Sequence, residues 1–500
     1  MGFMEKLENN QKSYTENGAV GYVTSGHKIV DLNFAIPSFR DGIDVRLFSL
    51  SLKQDEKLTL KWLLYLRDIR NGVGERQSFR DFVVCLSNIN EELSCRFISN
   101  CAFEEYGRWD DYIDIYFNVD SDRIKKVIAN KIVKQFSFDI NCYYENKSIS
   151  LLAKWLPSIN ASSYVTRKRA REMISVLGIK TERKYRKLLS MLRKYIDVVE
   201  RKMSANNWGC IDYSGVPSKA NLIYSDAFLK HDEARRKEYI DSVKNGKSKI
   251  NANAMFLHDI VHKYRGNHWR ASNYDETLEQ LWAAQKKVDG FGNTIVVRDG
   301  SGSMSCRAGN SSLTARSVAD AITLYCAENN TGEFKNKFIT FSSYARLVDV
   351  GTENSLYDKL ELLDEYTDYS CTNIENVFRL ILATAVDNDV LEKDMPKTVL
   401  IVSDMEFDCA SGGSVDRALF EAISDNFERN GYSMPRLVFW NVNSRTNTIP
   451  LQQNKNGVIL ISGFSKNLMD MVMSSELDPY KALVRILNSG RYSCVDSIYR

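Results

Sequence analysis

The reading of this chain turns on Asn293-Thr294-Ile295-Val296-Val297-Arg298-Asp299-Gly300-Ser301-Gly302-Ser303-Met304. Ile295 to Val297 is a short apolar run, which predicts a buried strand. The run ends in an aspartate and a turn carrying two hydroxyls, Asp299-x-Ser301-x-Ser303. Two hydroxyls two residues apart, behind a carboxylate at a strand's carboxyl end, can face one point from a tight loop. Such oxygen donors suit a hard six-coordinate cation, Mg²⁺ or Mn²⁺, that keeps some of its waters. The glycines let the backbone fold closely around an ion. In the plainer alternative Asp299 caps a helix and the serines satisfy backbone groups.

Two later loops add to the motif. Tyr369-Ser370-Cys371-Thr372-Asn373 precedes a helical pattern from Ile374, and Thr398-Val399-Leu400-Ile401-Val402-Ser403-Asp404 is a second apolar strand ending in an aspartate. D-x-S-x-S, then Thr, then Asp, each in a loop, resembles the metal-ion-dependent adhesion site of von Willebrand factor A domains. That resemblance implies Ser301, Ser303 and Thr372 as direct ligands. It implies Asp299 and Asp404 as ligands or holders of bound waters, with one position open to an acidic group from a partner. Thr367 and Ser370 lie close to Thr372, and Asp408 is a second carboxylate after Asp404.

From 293 onward strand and helix patterns alternate. Strands are expected at 338–341, at 345–350 as an edge, and at 398–403, 436–441 and 457–462. Helices are expected at 312–328, 354–364, 374–385 and 415–430, with one opened by Ser465 and a last one started by Pro479. This alternation predicts a mostly parallel, doubly wound α/β sheet. Ligands of such sheets bind at the strands' carboxyl ends, where the three motif loops fall.

Five hundred residues exceed what one core accommodates and suggest two or three domains. Apolar residues make up 44% and charged residues 26%, the mix of an ordinary globular chain. No run of about 18 apolar residues occurs, so no membrane span is expected. The start, Met1-Gly2-Phe3-Met4-Glu5-Lys6, lacks the apolar core of a signal peptide. Ten scattered cysteines without a C-x-x-C pair fit a reducing, cytoplasmic location. Net charge is +3, yet residues 147–270 carry 26 Lys/Arg against 11 Asp/Glu, or +15, leaving −12 on the rest. That asymmetry favours a polyanion as the partner of the basic part.

Between about 55 and 286 the apolar spacing is almost wholly helical: 55–70, 76–87, 109–118, 121–137, 164–177, 181–203, 223–245, 253–265 and 274–286. Short polar turns join these patterns, as in a helical-repeat solenoid in which each pair buries its stripe on the next. In 183–203, Tyr185, Leu188, Leu189, Leu192, Ile196, Val199 and Met203 form one stripe. Arg183, Lys187, Lys194 and Arg201 fall on the opposite side. Arg167, Lys168, Arg169 and Arg171 lie just upstream, and basic residues continue at Arg235-Arg236-Lys237, Lys244, Lys247 and Lys249. Arg167, Lys168, Arg169, Arg171, Arg183, Lys187, Lys194 and Arg201 are the candidate contacts for a polyanion. A solvated face that binds nothing is the alternative for any one helix. His258-Asp259-Ile260-Val261-His262 has metal-ligand spacing but no evident third ligand. Gly72-x-Gly74 follows a helix and lacks the phosphate-loop pattern.

Several strings here resemble the RNA-binding Ro autoantigen (TROVE) group, chiefly its little-characterised relatives. They are Asn17-Gly18-Ala19, Leu66 to Arg76, Tyr106-Gly107-Arg108-Trp109-Asp110-Asp111, Lys154-Trp155-Leu156-Pro157-Ser158, Arg183 to Lys187, and Trp208 through Ser218. The likeness spans most of 17–475, with the A-type domain last. It implies a HEAT-like helical solenoid or ring closed by that domain. It further implies small structured or single-stranded RNA as ligand. The expected organisation is a flexible N-terminus to 18, a helical RNA-binding domain over 19–272 and a linker helix over 273–290. An A-type domain over 291–475 and a C-terminal helix and tail over 476–500 complete it. A non-catalytic RNA-binding protein is therefore expected. A metal-dependent protein-interaction scaffold is the alternative, and single-metal phosphate chemistry is the least favoured reading.

Overall fold

The computed structural model describes residues 11–499 apart from 253–254, 267–270, 272, 286, 288–291, 309–311, 342–343, 368–372, 409–418, 452–456, 466–467, 469–471 and 473–477. The chain forms two compact units, each discontinuous in sequence. One comprises Met1–Gln54, Pro217–Ile223 and Ile240–Ile486 and holds the sheets; the other comprises Asp55–Val216, Tyr224–Tyr239 and Leu487–Arg500.

In the first unit six strands make the main sheet: β3 Thr294–Asp299, β4 Lys337–Phe341, β5 Ala345–Asp349, β6 Thr398–Ser403, β7 Arg436–Asn441 and β8 Val458–Ser462. Their order is β5-β4-β3-β6-β7-β8. All neighbours are parallel except the edge strand β5, which runs antiparallel to β4. Every residue of β3, β6 and β8 is buried, which is why these segments read as unbroken apolar runs rather than alternations. The helix Ala315–Asn329 packs across β3, β4 and β6. Thr314 starts it by accepting from the Ser317 amide at 3.2 Å.

Two expectations change in this unit. The sequence predicts a loose N-terminus as far as residue 18, but β1 Lys12–Tyr14 pairs with β2 Val20–Tyr22. The reason is hydrogen bonding: Thr15 Oγ1 donates to the Phe407 carbonyl at 2.6 Å, and the Tyr22 amide donates to Ile449 at 2.9 Å. The expected linker helix forms at Glu276–Ala283 but packs inside the sheet unit. Trp282 Nε1 donates to Glu328 at 2.9 Å, and Glu279 accepts the Leu356 amide at 2.8 Å.

In the second unit every regular element among the described residues is a helix. Helices Glu56–Arg67, Gln77–Ile89, Trp109–Asn118 and Tyr164–Val176 follow the sequence patterns closely. Ser121, Ser163 and Thr181 cap helix starts through their hydroxyls, each worth about 1 kcal/mol. Phe79, Phe97, Phe103 and Tyr112 form an aromatic core, with Phe103 stacked on Tyr112 at 4.9 Å. The single helix expected over 181–203 is two, Glu182–Ile196 and Val199–Ser204. Asp197 ends the first in the left-handed conformation, at φ +53°, which an α-helix cannot continue.

Candidate metal and nucleic-acid sites

β3 and β6 lie side by side, so their carboxyl ends deliver Asp299 and Asp404 to the same edge of the sheet. Both aspartates are fully buried. The Ser301 amide donates to Asp299 Oδ1 at 2.9 Å, and Ser403 Oγ donates to Oδ2 at 2.6 Å. Ser301 Oγ and Ser303 Oγ are 3.0 Å apart, and Ser303 also hydrogen-bonds Asp404. Gly300 makes the tight turn possible: a Cβ there would lie 3.1 Å from Thr340 Oγ1 and 3.2 Å from the Phe341 carbonyl oxygen. Thus Asp299, Ser301, Ser303 and Asp404 are linked by hydrogen bonds at one edge of the sheet, whereas Thr372 lies outside the described residues.

The electrostatics of this point are unbalanced. Burial raises the Asp299 carboxyl above its ordinary range. Burial, and then the neighbouring Asp299 charge, push Asp404 up to about 7. The cation paired with Asp404 is Arg445, whose Nη1 stands 3.2 Å from Oδ2. Its Nη2 holds Glu16 at 2.7 Å. A donor set of two carboxylates and two hydroxyls, without sulfur or imidazole, fits Mg²⁺ or Mn²⁺. A divalent ion here would neutralise charge that the protein leaves in excess. No group of three or more His, Cys, Asp or Glu suited to a metal occurs among the described residues.

Three participants escaped the sequence reading. Ser403 looked like the last residue of a strand, yet its hydroxyl bridges Asp299 and the Met405 amide. Met405 sits at φ +65°, a left-handed backbone for a bulky side chain, the kind of strain that collects at functional sites. Glu406, also fully buried, accepts the amides of Glu16, Arg445 and Thr446 at 2.8–3.0 Å. Nothing in local spacing announces the roles of Ser403 and Glu406, because Asp299 is 104 positions from Ser403 and the amides that Glu406 accepts are 39–390 positions away. Asp408, the rival to Asp404, forms a backbone β-bridge with Gly18. Arg298, beside the motif, turns away from it. Its Nε meets Asp320 at 2.7 Å in a buried cluster that includes Arg265, Arg316 and Asp364.

The basic candidates separate into two groups. Lys168, Arg171, Arg183, Lys187, Lys194 and Arg201 are exposed, and Arg167 and Arg169 are half-buried. Arg167 donates to the carbonyls of Ala161 and Ser162 at 2.7 and 2.6 Å, and Arg171 pairs with Glu182 at 3.0 Å. Arg169 lies 4.8 Å over the Phe117 ring and 3.7 Å from Asp114. On Glu182–Ile196 the buried stripe is Tyr185, Leu189 and Leu192, so Arg183, Lys187 and Lys194 project from the solvent side. Arg201 belongs to the next helix, beyond the Asp197 break, and does not continue that line. Arg193, which the pattern did not single out, turns inward. It donates to Ala153 O, Leu156 O and Ser158 Oγ at 2.7–2.8 Å, holding the Lys154–Ser158 string in place.

Other strings of the TROVE likeness are architectural as well. Asp111 accepts Arg67 Nε and Arg80 Nε, each at 2.8 Å. Gly107 is required beside them, since a Cβ would come within 2.5 Å of the Arg67 guanidinium. The His258-x-x-x-His262 pair is not a built metal site. His258 is buried against Phe256 and Phe464, and desolvation pushes it down to about 3. Asp259 pairs with Lys219 at 2.5 Å, and His262 Nε2 lies 3.2 Å from Ser312 Oγ.

Two family models match successive parts of the chain. A family described as a domain of unknown function, DUF7788, matches residues 293–484. A second, DUF2828, matches residues 161–296. The first match opens at the residue before β3 and closes within helix Pro479–Leu487, so it contains the whole six-stranded sheet. Uncharacterized protein L728 of Acanthamoeba polyphaga mimivirus is 28% identical over 515 residues, covering 95% of this chain and 87% of the viral protein. Among solved structures, the Ro (RSR) protein of Deinococcus radiodurans aligns over 92% of this chain and 95% of its own at 12% identity, with a TM-score of 0.35. No helix among the described residues is long and apolar enough to cross a membrane.

Proposed function

We propose that this chain is a non-catalytic RNA-binding protein of Ro-like type. Its helical unit takes small structured or single-stranded RNA, and its A-type domain carries a metal-ion-dependent adhesion site for assembly or partner binding. The observation that carries the RNA reading is the helix Glu182–Ile196, which projects Arg183, Lys187 and Lys194 to solvent while Arg193 turns inward. With exposed Lys168 on the preceding helix these cations form a phosphate-binding surface. The likeness to the TROVE strings supports the same ligand class and a HEAT-like packing of helix pairs. Asp299, Ser301, Ser303 and Asp404 hold the ion, Mg²⁺ or Mn²⁺, with Thr372 as a fifth donor. When bound, the ion supplies an open coordination position for a partner's Asp or Glu.

Filter binding across a salt series tests the first part. Affinity for RNA should fall steeply from 50 to 200 mM salt, because neutralised phosphates release counterions. Affinity that stays flat with salt counts against it. A second reading, a metal-dependent protein scaffold that binds no RNA, is favoured by the unbalanced charge at Asp299 and Asp404. Pull-downs with and without EDTA separate the two readings. RNA that copurifies after chelation supports the first, and a protein released by chelation with no RNA present supports the second.

A further inference from the structure

The helical unit is finished by the end of the chain. After building the sheet unit, the polypeptide returns at Leu487, and the segment Gly490–Tyr499 lies along Glu56–Arg67 and Glu91–Asn100. Polar contacts hold it there. Arg491 grips Asp68 through two bonds at 2.8 and 3.0 Å, and Asp496 meets Lys57 and Lys61 at 2.8 and 3.1 Å. Tyr499 donates to Glu56 at 2.8 Å. The Asp496 and Lys57 side chains are partly exposed, so salt screens part of this clasp.

Within the clasp two cysteines 393 positions apart meet, with Cys101 Sγ and Cys494 Sγ at 3.1 Å. Cys101 is fully buried, whereas Cys494 is partly exposed. Tyr106 Oη lies 3.4 Å from Cys494 Sγ, and Lys131 Nζ donates to the Cys101 carbonyl at 3.2 Å. The hydrogen bond from Cys101 draws the Cys494 thiol down to about 7, while the same contact and burial hold Cys101 up. The accessible sulfur is thus the more ionised one, and the buried sulfur waits behind it.

We infer that Cys494 and Cys101 form a peroxide-sensitive pair whose oxidation converts the polar clasp of the C-terminal segment into a covalent one. The Cys494 thiolate attacks a hydroperoxide. An S–O bond forms, the O–O bond breaks, and the leaving alkoxide or hydroxide takes a proton. The product is a sulfenic acid on Cys494. Cys101 sulfur then attacks Cys494 sulfur, the S–O bond breaks, and water leaves with the Cys101 proton. Two thiols have given two electrons to one peroxide, and a small thiol reductant reverses the change.

The test uses the full chain, treated with hydrogen peroxide from below to above one equivalent and digested without reductant. Mass spectrometry should recover the Cys101 and Cys494 peptides joined, two hydrogens lighter than their sum, and separate again after dithiothreitol. Cys494 should lose its free thiol about tenfold faster than the exposed Cys210. In Cys101→Ser the oxidation should stop at a sulfenic acid that a 1,3-dione traps on Cys494. Limited proteolysis of the oxidised wild type in high salt should leave the C-terminal fragment attached until reductant is added. Cys494 recovered as an unlinked or over-oxidised residue beside a free Cys101 overturns the inference. So does oxidation that proceeds first at Cys210.

Discussion

Both units bury aspartates completely, and they treat them in opposite ways. In the helical unit Asp111 lies between Arg67 and Arg80, each at 2.8 Å, and accepts the Arg108 amide at 3.0 Å. Asp68 is held by Arg491 in the same manner. In the sheet unit Asp299 and Asp404 receive hydroxyls and amides, burial raises the proton affinity of both, the Asp299 charge raises that of Asp404 further, and the direct ion pair at the point is Arg445 with Asp404. A carboxylate surrounded by guanidinium groups has no charge left to offer a ligand. Two carboxylates at one point, of which Asp404 has one direct ion pair and Asp299 is bonded by hydroxyl and amide, have such charge. The contrast separates architecture from binding capacity without reference to what either unit is called.

The largest way to break this comparison is Asp111→Ala. It leaves Arg67 and Arg80 without their buried partner and should cost roughly 3–5 kcal/mol, read as a lowered midpoint in urea unfolding followed by circular dichroism. A destabilisation below about 1 kcal/mol, the scale of exposed ion pairs, would mean that the cluster is no structural element.

Next in size, Asp299→Asn should behave in the opposite sense. Without metal it relieves a repulsion and should leave the melting temperature unchanged or higher. Mg²⁺ at about 100 times its Kd should stabilise the wild type by about 2.7 kcal/mol and this variant not at all. Equal shifts on adding Mg²⁺ to both proteins would remove the metal from these loops.

Smaller again is Arg445→Met. Taking a positive charge from Asp404 should tighten Mn²⁺ binding roughly tenfold, about 1.4 kcal/mol, by calorimetric titration. Weaker binding would make Arg445 a support of the site rather than a competitor of the ion. Least in energy, Lys187→Gln with Lys194→Gln should weaken RNA binding a few-fold across sequences. It should also lower the salt slope by about one for each phosphate that is no longer neutralised. An unchanged slope would return that helix face to plain solvation.

Much of this was legible in the residues. Strand β6 begins and ends where its apolar run does, and helix Trp109–Asn118 matches its pattern, because burial on one face or both imposes a period on nearby positions. The motif after β3 was equally readable, since its donors sit within five residues of one another. The break at Asp197 was not, because a left-handed residue leaves the apolar spacing intact on either side. Nor was the inward turn of Arg193, which carries the same charge as its exposed neighbours and differs only in finding three acceptors on the 153–158 segment.

By itself, then, the sequence determined many of the helices and the strands of the main sheet, which helix face is cationic, and where an oxygen-rich turn follows a strand. These are local properties, fixed by side-chain periodicity and by what a few adjacent residues can do. The tertiary structure alone decided which buried aspartates are neutralised and which keep their charge, that Arg445 and Glu406 attend the candidate metal loop, and that Cys101 meets Cys494. Those pairings join residues tens to hundreds of positions apart, and a buried charge or thiol acquires its character only from the neighbours that folding brings to it.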